Sequence, residues 1–94
     1  MYSPYVRRHR LAAELRKARE ESDLSTDELA RRVFQSRTKI SKLENAQIRP
    51  DVGEIMTLLE ALGIEGDRYE QLLRLARDAA RLLRTVAQRR TVSG

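Results

Sequence analysis

The chain has 94 residues, a formal net charge of +5 and no cysteine. That length supports one domain with a modest core and no large substrate cleft, and the missing thiols exclude disulfides, zinc fingers and thiolate metal sites. No apolar run reaches the roughly 18 residues of a membrane span, and charges stand where a signal peptide needs its apolar stretch, so the expectation is a soluble cytoplasmic protein.

Apolar and polar residues nowhere alternate long enough to read as a strand, which leaves helices to build the fold. Ser3-Pro4 reads as a cap followed by a proline at the first helical position, and Leu11, Leu15 and Ala18 then recur with helical spacing, predicting a first helix over residues 4–22. Ser25 and Glu28 are spaced as a capping box that opens a second, short helix over residues 26–33 with Leu29, Ala30 and Val33 inward. Ser36 caps a third over residues 37–45 with Ile40 and Leu43 inward, and Pro50 stops any continuation. Asp51 and Glu54 read as a second box, before a helix that buries Val52, Ile55, Met56, Leu59 and Leu62. Gly63 stands where a left-handed cap is needed, with Ile64 as its apolar contact. Asp67 and Glu70 read as a third box, opening a long last helix that ends near Arg89 and leaves residues 91–94 as a disordered tail.

Charge is distributed unevenly along these elements. Residues 31–49 carry Arg31, Arg32, Arg37, Lys39, Lys42 and Arg49 against the single acid Glu44, whereas residues 51–70 carry six acids against Arg68. The first stretch points to a polyanionic partner and the second to a face turned away from it. On the third helix, Arg37, Thr38, Ser41 and Lys42 fall opposite the apolar anchors. Arginine and lysine pair with guanine edges, hydroxyls serve bases or phosphates, and the helix N-terminus adds partial positive charge.

The segment Leu24-Ser25-Thr26-Asp27-Glu28-Leu29-Ala30, followed by Ser36-Arg37-Thr38-Lys39-Ile40-Ser41-Lys42-Leu43-Glu44-Asn45, resembles the xenobiotic-response-element (XRE) family of phage-repressor-like helix-turn-helix regulators. The resemblance covers roughly residues 11–64. It implies an all-α phage-repressor-like helix-turn-helix domain over residues 1–66, and the C-terminal helix over residues 67–90, read as core packing and a candidate for dimerisation, completes a five-helix fold and extends further than the family's minimal domain requires. It also implies that the third helix enters the DNA major groove, as part of a two-fold dimer on an inverted repeat. Carried over by position, Arg37, Thr38, Ser41 and Lys42 are the base-contacting residues, and Ser25, Thr26, Ser36, Lys39, Asn45, Gln47 and Arg49 the backbone-contacting ones. Arg19 and Glu44 match a structural ion pair of the family.

Besides its longer last helix, the chain departs from the family pattern in two places. Thr26 is shorter than the usual glutamine at the start of the second helix. Phe34-Gln35 stands where a glycine normally makes the turn, so the turn is longer or strained, or Phe34 packs inward. The last helix presents Tyr69, Leu72, Ala76, Ala79, Leu83 and Val86 in steps of three and four, widened by Leu73, Ala80 and Ala87. Its first half reads as core, and Ala79, Leu83 and Val86 as dimerisation candidates, or else the segment connects to a further domain.

Arg7, Arg8, His9 and Arg10 read either as a groove-following arm or as an exposed face of the first helix. His9 has no ligand-spaced partner, and Ser25, Ser36 and Ser41 have no accompanying base and acid, so neither a metal site, nor a cofactor, nor an enzyme is expected. The expected function is sequence-specific duplex-DNA binding in bacterial transcription regulation, as repressor or activator and as a homodimer. The alternatives are an antitoxin- or coactivator-type module that holds a protein through the last helix and, ranked below it, a ligand-responsive fragment.

Overall fold

The computed structural model describes residues 4–93, with side chains described for residues 6–80. Five helices follow in order: α1 (Pro4–Glu21), α2 (Thr26–Arg32), α3 (Arg37–Glu44), α4 (Val52–Ala61) and α5 (Gly66–Ser93). No strand occurs among the described residues, so the fold is all-α as expected. The proposed Ser3 cap and the side chains of Leu83, Val86 and Ala87 lie outside the described residues. α5 continues to Ser93, past the end expected near Arg89 and through most of the stretch read as a tail.

Leu11, Leu15 and Ala18 of α1 meet Leu29, Ala30 and Val33 of α2, Ile40 and Leu43 of α3, and the inner faces of α4 and α5 in one core. α5 packs chiefly against α1 and also against α4, while α2 and α3 pack on each other. Leu29, Ile40, Ile55 and Leu59 are the largest fully buried side chains. Burying each contributes about 1.5–3 kcal/mol relative to leaving it in water. On α4 the stripe is shifted: Leu58 is buried with Ile55 and Leu59, whereas Val52 and Met56 are only half-buried. Ala79, read as a dimer contact, has no exposed surface because α5 buries it within its own domain.

The first four helices end in the same way. Beyond the ends of α1, α2, α3 and α4 stand Asp23, Phe34, Ala46 and Gly63, each with positive φ (56°, 57°, 56° and 72°). In every case the next residue donates its amide back to the helix: Leu24 to Arg19, Gln35 to Ala30, Gln47 to Lys42 and Ile64 to Leu59, at 2.8–3.2 Å. These are Schellman stops, which satisfy carbonyls that would otherwise be orphaned. Glycine takes the left-handed conformation freely, but for other residues it costs about 1–2 kcal/mol. Phe34 does not pack inward, because Val33 already fills the buried position, and its side chain is 92% exposed.

At the helix starts, the Ser25–Glu28 box is fully formed: Ser25 Oγ accepts from the Glu28 amide, and Glu28 Oε1 accepts from the Ser25 amide. Those bonds from Ser25 hold the Glu28 carboxyl below its ordinary pKa. At Asp51 only half of the box forms. Asp51 Oδ1 accepts from the Glu54 amide at 3.1 Å, but the Glu54 carboxylate turns to the Lys39 ammonium. α5 starts one residue before the third box, so Asp67 lies in its first turn and is not its cap.

Ala46→Gly should raise stability by about 0.5–1 kcal/mol, the relieved strain less the extra freedom of glycine in the unfolded chain. A urea midpoint that rises with an unchanged slope would agree; a fall would mean that the Ala46 methyl stabilises more than its backbone costs.

Candidate nucleic-acid interface

α3 is anchored from below and open above. Ile40 and Leu43 are 1% and 7% exposed, while Arg37, Thr38 and Lys42 are exposed on the other flank and Ser41 is half-buried beside them. Arg37 stands out freely, its side chain 74% exposed and its Nε 3.8 Å from Asp27 of α2. A contact that long between exposed groups contributes little, so the guanidinium remains available to a stronger acceptor.

The far end of α3 is fixed by a buried charge. Glu44 is the sole buried charged or polar residue among those described, and Arg19 of α1 grips it with two parallel bonds, Nε to Oε2 at 2.8 Å and Nη2 to Oε1 at 3.0 Å. The third guanidinium nitrogen, Nη1, donates to the Leu24 carbonyl at 2.9 Å, so that one side chain ties α1 to the α1–α2 link and to α3. The hydrogen bond to Glu44 raises the Arg19 pKa above its ordinary value.

Asn45 extends this clamp to the surface. Its Nδ2 donates to the Ser41 carbonyl at 2.8 Å, and its Oδ1 accepts from Arg16 Nη2 at 3.1 Å. The Asn45 amide, expected on a phosphate, is thus used within the chain to join α1 to the end of α3. Lys39, also expected on phosphate, is drawn to Glu54 because it lies on the flank of α3 that faces the start of α4. Ser25 and Ser36 both serve as caps, their Oγ atoms accepting from Glu28 and Lys39 amides at 3.1 Å. A hydroxyl used in this way keeps its own proton to donate, so both retain a bond for a phosphate oxygen. Thr26 is half-buried at the first position of α2, and Gln47 and Arg49 are exposed in the loop after α3.

These positions describe two short helices joined by a tight turn, the second with a cationic outer flank. A family model described as a helix-turn-helix domain matches residues 10–72. The chain belongs to the helix-turn-helix family. The domain is one found in XRE-like regulators, in agreement with the resemblance carried by residues 24–45, and is in general that of DNA-binding regulators. A search of curated proteins finds no match. Within the helix-turn-helix, α2 and α3 are the two motif helices, and Val33, Phe34 and Gln35 are the turn.

Reasoning from the sequence missed Arg16. It lies one helical turn before Arg19, on the flank of α1 that reaches Asn45 and comes within 3.8 Å of Glu44. That spacing was the available signal.

Truncating Glu44 or Arg19 alone should cost about 3–5 kcal/mol, because each leaves a buried charge without its partner. Replacing both with apolar residues, Arg19→Met with Glu44→Leu, should recover most of the loss. Denaturant titrations of the four proteins test this, and single variants as stable as the parent would show that the pair is not effectively buried.

Proposed function

We propose that the chain is a sequence-specific duplex-DNA-binding transcriptional regulator, acting as a homodimer on an inverted-repeat operator in the bacterial cytoplasm, with no catalytic role. The observation that carries this reading is the division of α3, whose Ile40 and Leu43 are buried while Arg37, Thr38 and Lys42 stand exposed on the opposite flank. Arg37 and Lys42 read base edges, with Thr38 and Ser41 in support. Ser25, Thr26, Ser36, Gln47 and Arg49 hold the phosphate backbone, and Arg16 joins this group as a partly exposed cation beside Asn45. Lys39 and Asn45 fix α3 against α4 and α1, and each keeps a further N–H with which to hold the backbone.

Polarity of charge supports the same assignment. The cations of residues 31–49 and the acids of residues 51–70 fall on successive parts of the chain, so approach to a polyanion is favoured in one orientation. The dimer is a further part of the proposal, and Leu83 and Val86 of α5 remain its candidate contacts.

Selection of bound duplexes from a random pool tests the function. The expected outcome is an inverted repeat with half-sites about 34 Å apart, one helical turn. Arg37→Ala should then weaken binding by about 1–3 kcal/mol and relax preference at one position. Should the pool yield no enriched sequence, or should Arg37→Ala and Lys42→Ala together leave affinity unchanged, the recognition face is wrongly placed.

A further inference from the structure

Phe34 is the only large apolar side chain at the helix-turn-helix turn that the fold leaves outside. It combines two costs: a left-handed backbone at φ 57°, where glycine fits without strain, and an aromatic ring 92% exposed to water. Packing of α2 and α3 in the core makes the strain tolerable, but the ring itself offsets neither cost among the described residues. The Schellman stop of α2 is made by the Phe34 and Gln35 amides, which any residue other than proline supplies, and the adjacent buried position belongs to Val33 at 6% exposure. The ring therefore contributes nothing to the domain that carries it.

The surroundings of the ring select its partner. Arg31, Arg32 and Arg37 are all exposed within three residues of it, and residues 31–37 contain no acid. Two copies of this turn brought together would oppose six arginines, which disfavours self-association through it. A polyanion, by contrast, neutralises those charges and brings an apolar surface with them, in its deoxyribose rings and thymine methyl groups. Phe34 also stands two residues before Ser36, the cap of α3, and so at the end of that helix assigned to the major groove.

We propose that Phe34 is an additional DNA-contacting residue, which lays its ring against the sugar-methyl surface of the duplex beside the N-terminus of α3. This rests on the reading of the chain as a duplex binder. The contact explains why the turn carries a strained, exposed aromatic residue: the side chain is buried only in the complex. It adds an apolar, salt-insensitive component to an interface otherwise built from charges and hydroxyls.

Phe34→Gly separates this role from a structural one, because it improves the backbone while removing the ring. The variant should unfold about 2–6 °C higher than the parent, showing that it folds. It should bind the selected duplex about tenfold more weakly, with an unchanged slope of affinity against salt. Phe34→Asn, which also tolerates the left-handed conformation, should behave like the glycine variant in binding. Replacing individual thymines of the selected site by uracil distinguishes the two contact surfaces. A loss seen with the parent but not with Phe34→Gly places the ring on a methyl group, whereas no loss at any thymine, with the variant still weakened, places it on deoxyribose. A variant that binds as tightly as the parent overturns the proposal, as does one that alters only self-association in sedimentation. Failure of the parent to bind any duplex would instead overturn the functional reading itself.

Discussion

The arrangement of this domain depends on one carboxylate. Glu44 lies at the end of α3 with its side chain 4% exposed, where an ionised group is stable only if fully partnered. Arg19 provides that partnering with a two-bond fork, and its remaining nitrogen reaches the Leu24 carbonyl. A buried pair of this kind adds little net stability over apolar residues of the same size, since desolvation of both charges opposes their attraction. What it confers is position. The fork has one good geometry, so the end of α3 is held at one rotation against α1, and Arg37, Thr38 and Lys42 are consequently held on the outside.

The second constraint is the way the helices stop. α2 and α3 have 7 and 8 residues, too few to be stable alone, so they persist only because caps and packing close both ends. Side-chain oxygens of Ser25 and Ser36 satisfy amides at their starts, and left-handed residues turn the chain at their ends. The same device at Asp23, Phe34 and Ala46 brings strain in, and the strain is tolerable because α2 and α3 bury Leu29, Ala30, Val33, Ile40 and Leu43 in the shared core. At Phe34, strain and exposure coincide, and that coincidence is the observation from which its contact with DNA is proposed.

The legible part of the fold was the part that local spacing encodes. The inward faces of α1, α2 and α3, the Ser25–Glu28 box and the Gly63–Ile64 stop all follow from residues within one or two turns of each other. What was not legible depends on distances across the chain. Glu54 has the right spacing for a box with Asp51, yet it meets Lys39, a charged partner that only the tertiary fold brings near. Asn45 and Arg16 are 29 positions apart, and the step of three from Arg16 to Arg19 places Arg16 on the right flank of α1 without naming its partner. Ala79 sits on a heptad-like seam, but the periodicity cannot say whether the seam faces α1 or a second copy. Asp23 and Ala46 were invisible as left-handed stops because neither is the glycine by which such stops are recognised, whereas Phe34 was marked by standing where that glycine is usual.

The central claim is that the outer flank of α3, and the loops at either end of it, form the surface that meets DNA. Titrating the isotopically labelled chain with a selected duplex and following each backbone amide by NMR tests it most directly. The account predicts that the largest shifts fall on Ser25, Thr26 and residues 34–49, with Arg37 and Lys42 foremost, and that the acidic stretch of residues 51–70 barely moves. It is contradicted if that acidic stretch shows the largest shifts, or if the Arg37 and Lys42 amides stay in place while the duplex is bound.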